Sequence, residues 1–402
     1  MTKQKQTTYT LLTLLIGACS GASAPAQTDT PDLAQQFQVF NLDSLGGTNS
    51  RGNSINNKGL IAGFSNLPGD QSRHATVWKN SSVFDLGTLG GPNSSITWNV
   101  KNNRGLVVGI SQTATPEPLG EAWSSAFFYP GPNNTGFINL GFVWQNGVMR
   151  ALPTLGGNNG FATSANNSGQ VVGWAENTCH DPTCVPPQVL QFRPVVWGPF
   201  PDQIAEFPLI EGDTSGAATA INDRGQAVGI SGICDQAVGR YTAMHAVLWE
   251  NGGVTDIGNF GADFWNTPTA INEHGHIVGF AGTPGDPDGN FLRGFYWTRQ
   301  GGIKHLDPLP NQTPEHVYSE ADGINGRDQI VGFSCDADFA DCRAVVWDKN
   351  GVATDLNDLK PASYTARLES AKDVNSRGEI TGRAIDESGL RMTYKAVPAP
   401  SR

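Results

Sequence analysis

An asparagine recurs at positions 56, 102, 166, 222, 272, 325 and 375, about 53 residues apart on average, and this period constrains the fold more than any other feature. Three residues after each comes Gly59, Gly105, Gly169, Gly225, Gly275, Asp328 or Gly378. Seven residues after each stands a glycine in every copy, at 63, 109, 173, 229, 279, 332 and 382. Asn-x-x-Gly is the signature of a type I turn followed by a residue of positive φ, the loop of a short hairpin. Asp328 tolerates that conformation better than most residues. β-prone segments such as Ala218 to Ile221 and Ile330 to Ser334 flank the turns. The later glycine marks a bulge or a close backbone approach.

A second hairpin follows in each copy. His74 to Trp78, Arg193 to Trp197, His245 to Trp249, Arg293 to Trp297 and Arg343 to Trp347 share one pattern of cation, small residue, two further residues and Trp. Leu140 to Trp144 keeps the apolar part without the cation. A polar turn then leads to a strand ending in Leu-x-x-Leu or its equivalent, as at Leu86/Leu89 and Leu152/Leu155. The unit is therefore four short strands, A to D. A D-type strand near Phe37 to Leu42 precedes the first A strand, and the last copy ends after its C strand, near Arg391 to Val397. The N-terminal strand is expected to complete the last blade, leaving no exposed sheet edge. The predicted fold is all-β: a seven-bladed β-propeller of four-stranded blades over residues 37–398, with a short tail at 399–402.

Taken together, these residues are similar to the bacterial extracellular repeat family named for its His-Ala-Phe signature, the HAF repeat. The resemblance rests on Leu86-Gly87-Thr88-Leu89-Gly90-Gly91, on Ile221-Asn222 through Val228-Gly229, and on His245-Ala246-Val247-Leu248-Trp249, and it extends over nearly all of Phe37 to Pro398. It implies a surface or secreted protein and supplies neither a reaction nor catalytic residues. Members often end in a Val-Pro-Glu-Pro sorting segment and a membrane helix, whereas this chain ends Val397-Pro398-Ala399-Pro400-Ser401-Arg402. That difference favours a lipid anchor or free secretion. WD40 and kelch patterns fit less well, because Gly-Gly here follows strand D and the Asn-x-x-Gly turn is extra.

The N-terminus reads as an export signal over residues 1–18, with Lys3 and Lys5 before the apolar stretch Leu11 to Ala18. Ile16-Gly17-Ala18-Cys19 resembles a lipobox, which would lipidate Cys19 and leave residues 19–36 as a flexible tether. The alternative is cleavage after Ala26, in the small-x-small run Ala24-Pro25-Ala26. Either route takes the protein out of the cytoplasm, to the outer membrane as a lipoprotein or to the medium. In an oxidising compartment, Cys179 with Cys184 and Cys335 with Cys342 are expected to form two local disulfides, leaving Cys234 as the odd thiol. A net charge of −11 without a basic stripe argues against nucleic acid. The only expected membrane contact is the lipid, and a monomer is expected.

A residue type repeated in every blade serves the scaffold, so departures from the repeat carry the functional information. The column four before each Asn is small in most blades but reads Trp98 in blade two and Pro268 in blade five. Blade two also has Lys101 where others have Ile, Val or Ala, and a duplicated C–D hairpin is expected there, from Ala126 to Tyr129 and from Phe137 to Leu140. By analogy with other propellers, the D–A and B–C connections share the ligand face. That face would carry Asp263, Trp265, His316, Tyr318, Glu320, Tyr364 and Arg367, a mixture of aromatic and polar groups suited to a glycan or a peptide. No Gly-x-Ser-x-Gly, His-Glu-x-x-His or phosphate loop occurs, and neither metal nor cofactor is expected. His274-x-His276 and Asp286 to Gly289 are weak metal patterns. The leading expectation is a non-catalytic envelope protein that binds an unidentified glycan or protein partner. The alternatives are a propeller hydrolase or lyase and a structural surface-layer component. Carboxylates clustered at the axial mouth would favour the enzyme. A bare Ala/Ser channel rimmed by aromatics would favour binding.

Overall fold

The computed structural model describes residues 35–400 except 81, 123–124, 200–202, 238–239, 287–290, 311 and 313–316. The leader, Cys19 and the tether up to residue 34 lie outside the described residues. Among the described residues twenty-eight strands form seven antiparallel sheets of four, one per repeat, six of them simple A-B-C-D meanders. The last sheet runs β1(Phe37–Asn41), β28(Arg391–Pro398), β27(Ile380–Ile385), β26(Arg367–Val374). Phe37 pairs with Pro398 and Asn41 with Tyr394, so the N-terminal strand closes the ring as the repeat count requires. Among the described residues no helix is long and apolar enough to cross a membrane.

The Asn column does more than shape turns. Each Oδ1 accepts from the backbone N–H groups two and four residues on, as Asn222 does from Arg224 and Gln226. Each Nδ2 donates to the carbonyl of the equivalent Asn in the next blade: 56 to 102, 102 to 166, 166 to 222, 222 to 272, 272 to 325, 325 to 375, and 375 back to 56. These seven bonds, 2.7–3.1 Å long, form a closed circle on the face of the A–B turns.

The later glycine column faces a bulge. In six blades the A–B register slips by one residue, as between Ala218 and Ala220. A Cβ on Gly229 would lie 2.0 Å from the Ala217 carbonyl oxygen and 2.8 Å from the Trp249 ring. The glycine therefore admits both a bulged neighbour and the C-strand aromatic. The Trp column staples blades together: Trp78, Trp197, Trp249 and Trp347 donate their indole N–H to carbonyls of Asp43, Pro153, Pro208 and Asp307, in the connections leaving the preceding blade. The cation preceding each Trp is a prop: His74 meets Asp85, Arg193 Glu206, His245 Asp213 and Arg343 Asp355.

Two expectations are corrected. Blade two has no duplicated hairpin: Phe137–Gln145 is one C strand paired with Val107–Pro116, and Ser125–Phe128 is a single helical turn. Two of its aromatics pack inward instead of pairing, with Tyr129 buried and Phe128 edge-on to Phe161 at 5.3 Å, while Phe127 is exposed. The cysteine pairing also differs. Cys335 joins Cys342, but Cys184 joins Cys234 and leaves Cys179 free and exposed. The cause is backbone pairing between two B–C loops, with Val185 N–H donating to Asp235 O and Asp235 N–H to Thr183 O, which sets Cys184 beside Cys234.

Candidate functional site

Blade two breaks the symmetry of the axis. Its A strand stops at Ser95, and the following segment crosses the channel instead of continuing the sheet. Asn53 of blade one donates to Ile96 O at 2.6 Å, Ser54 Oγ bonds both Val100 O and Val100 N, and Ser164 of blade three donates to Asn99 O. Asn99 Nδ2 in turn reaches Asp322 O in blade six at 2.5 Å. Lys101 forms an ion pair with Asp373 of blade seven and donates to Val374 O. The segment is thus tied to blades one, three, six and seven, and it presents Trp98 to one mouth and Lys101 to the other.

On the face of the D–A and B–C connections the mouth has two unlike halves. Blades two to five contribute an apolar cleft of about 80 Å³ that includes Trp98, Trp174, Ile230, Trp265, Thr267 and Phe280. It is far below the 300 Å³ or more of a drug-sized pocket, so it is a shelf for one ring face. Trp265 holds the left-handed conformation at φ 54°, an unusual position for a bulky residue, with its N–H bonded to Arg240 O.

Blades six, seven and one contribute charge. Tyr318 OH donates to Glu320 Oε1 at 2.5 Å, and Lys372 Nζ lies 2.6 Å from Asp322 Oδ1 and 3.8 Å from Glu320 Oε2, over the Phe333 ring. Arg383 Nε meets Glu369 Oε2 at 2.8 Å, with Arg391 at 3.6 Å. Burial pushes the Asp322 carboxyl up to about 7 despite Lys372, and its Oδ2 is buried without a hydrogen-bond partner among the described residues. The mouth is therefore neither a bare Ala/Ser channel nor a set of free carboxylates: Glu320, Asp322 and Glu369 are present, and each has a cation.

Of the residues singled out in the sequence, Trp98 and Trp265 share the shelf, while Tyr318 and Glu320 stand in the charged half. Lys101 lies at the opposite mouth. Asp263 is exposed and accepts from Asn259 Nδ2 at 3.3 Å. Tyr364 OH bonds Asn41 on the closing strand, and Arg367 pairs with Asp341 of blade six. His316 lies outside the described residues. Of the metal patterns, His274 Nε2 meets Gly326 O and His276 Nδ1 meets Asp328, both in the neighbouring turn, and Asp286 accepts from Phe291 N–H. Arg51, Asp322, Glu369, Lys372 and Arg383 were missed. For Arg51, Asp322 and Lys372 the signal was present in the columns five and three before each Asn, which read mostly Ala, Ser, Thr or Asn in other blades.

A second carboxylate group lies away from the mouth, between blades two and three. Glu176, fully buried, is pushed up to about 8 by burial and then by Glu121, which shares Gln188 with it. Glu121 accepts from Val189 and Leu190 N–H.

No family model matches this chain, and no curated protein matches it. Among solved structures, the β-propeller domain of the Trilobed protease from Pyrococcus furiosus aligns over 90% of this chain and 95% of that one, at 8% identity and TM-score 0.49. A puromycin hydrolase mutant aligns over 80% and 45%, at 12% identity and TM-score 0.44. The gluconolactonase XC5397 from Xanthomonas campestris aligns over 65% and 79%, at 8% identity and TM-score 0.34. These similarities are too distant to bear on function. The seven sheets of four strands, closed by β1, make the chain a seven-bladed β-propeller.

Proposed function

We propose that this is an exported propeller that binds a glycan, without turning it over, at the mouth of its ligand face. The observation that carries the reading is the shelf of Trp98 and Trp265, with the buried Trp174 beneath, set beside hydrogen-bonding groups at the same mouth. Indole faces stack on the C–H face of a sugar, and polar neighbours orient its hydroxyls. The charge partners of Glu320, Asp322 and Glu369 support binding over catalysis. Export is supported by the leader pattern, the HAF-repeat resemblance and the disulfides Cys184–Cys234 and Cys335–Cys342. The test is a glycan array probed with the wild type and with Trp98→Ala and Trp265→Ala. Saturable retention that both variants lose supports the reading, and retention unaffected by either variant overturns it.

A second reading, a hydrolase, draws on Asp322, whose raised proton affinity and unpartnered Oδ2 beside Glu320 suit a general acid. Release of new reducing ends from a retained glycan, abolished in Asp322→Asn, would favour it.

A further inference from the structure

The charged half of the mouth does not balance locally. Lys372 answers Asp322 and Glu320, and Arg383 with Arg391 answers Glu369. Two guanidiniums in blade one remain. Arg73 donates only to neutral oxygens, Asn66 Oδ1 and Phe128 O. Among the described residues the Arg51 guanidinium makes no hydrogen bond and no ion pair, and its Nε is buried without an acceptor. Both sit against the ring of Phe64, at 3.7 Å for Arg73 and 5.2 Å for Arg51, so at most about 9 Å separates the two charges. Arg51 holds the ring position that Ala217 and Thr267 hold in blades four and five, where those residues line the aromatic shelf. The subsite and the shelf therefore open on the same mouth.

The Arg51 guanidinium is half-buried with its Nε out of water. Asp322, Glu320 and Glu369 act on it through space, but none of them hydrogen-bonds it, so an anion from outside the chain can complete it. Burial, and then Arg383, lowers Arg51 to about 10; burial, and then Arg51, lowers Arg73 to about 9. Both guanidiniums are thus held where an added negative charge is favoured. The planar fork of Arg is matched to the paired oxygens of an anion.

We propose that Arg51 and Arg73 form an anion subsite that takes the carboxylate or sulfate of an acidic saccharide whose sugar ring rests on the Trp98–Trp265 shelf. The saccharide part rests on the binding reading above, while the anion part stands on Arg51 alone. An acidic peptide would satisfy the arginines but would not need the two indole faces of Trp98 and Trp265.

The experiment uses the full chain, the wild type beside Arg51→Gln and Arg51→Lys. Inorganic sulfate is titrated first, with melting temperature as the readout. The wild type is expected to rise with sulfate by several degrees more than R51Q, each measured against its own melt without sulfate. Parallel responses in the two proteins overturn the subsite. Oligogalacturonate, a sulfated galacto-oligosaccharide and neutral galacto-oligosaccharide are then compared by calorimetry. One acidic sugar binding at least tenfold more tightly than the neutral one, with that preference lost in R51Q and partly kept in R51K, supports the proposal and identifies the anion. A sulfate response with the neutral sugar bound as tightly as the acidic ones overturns the acidic-saccharide assignment while the glycan reading stands. Tighter binding of oligoglutamate than of any sugar overturns both, while the subsite stands.

Discussion

The circle of asparagines separates two explanations that the sequence alone cannot. If Asn222 only initiates a type I turn, Asp should serve as well, because both are favoured at that position. If it also links blades, Asp must fail. Its Oδ1 would still accept from Arg224 and Gln226 N–H, but the amide that donates to Asn272 O at 3.0 Å would become an oxygen facing an oxygen. Losing one buried hydrogen bond costs about 1 kcal/mol, and the facing oxygens raise this to about 2 kcal/mol. Asn222→Ala removes all three backbone bonds, which amounts to about 3 kcal/mol. A domain of this size has an unfolding entropy near 0.8 kcal/mol/K, so the expected drops are about 2.5 °C for N222D and about 4 °C for N222A.

Differential scanning fluorimetry at pH 7 measures both. Asn103→Ala is the control, because its Oδ1 accepts a single exposed bond from Asn57 N–H and should cost less than about 1 kcal/mol. N222D should also recover part of its loss near pH 3, where a protonated carboxyl can donate again. An N222D melt within 1 °C of the wild type at pH 7 would refute the inter-blade role and return the column to turn chemistry alone.

Three further outcomes follow from the packing. Non-reducing peptide mapping should find Cys184 linked to Cys234 and Cys179 open to alkylation, and a Cys179–Cys184 link would contradict the loop pairing. Gly229→Ala should cost about 3 kcal/mol or more, because the new Cβ meets the Ala217 carbonyl and the Trp249 ring, and a soluble variant melting like the wild type would count against the bulge account. Glu176 binds its proton more tightly folded than unfolded, so the folded state holds more protons between the ordinary carboxylate range and about pH 8, and stability falls as pH rises through that window. Glu176→Gln should flatten the fall from pH 5 to pH 8, and an unchanged slope in thermal melts would refute this.

The scaffold was legible because it is written seven times. Turn, bulge glycine and Trp each recur at fixed offsets, and counting strands against copies was enough to place β1 beside β28. What recurs once was harder to read. The Phe127-Phe128-Tyr129 run has strand propensity, but the space above Phe161 decides its conformation, and that space belongs to the next blade. Cys234 lies 50 residues from Cys184, and only the packing of two adjacent B–C loops brings them together. At the mouth, Trp98 and Lys101 stood out as departures, but single charged substitutions such as Arg51 and Lys372 acquire meaning only beside one another.

Blade two gives these departures a common cause. A ring of identical blades contacts only its neighbours, and a seven-membered one leaves a hole at its axis. The segment from Ile96 to Lys101 fills that hole by bonding to Asp322 and Asp373 on the far side. Once filled, the axis is two separate mouths and the sevenfold equivalence is lost. Trp98 then leans on blades three to five, which become the aromatic side. The A strands of blades six, seven and one carry the charge: Arg51 stands where blades four and five have Ala217 and Thr267, and Lys372 where blades three to five have Thr163, Thr219 and Thr269. The plug thus converts a symmetric scaffold into a site with one apolar and one charged side, the asymmetry that an oriented ligand requires.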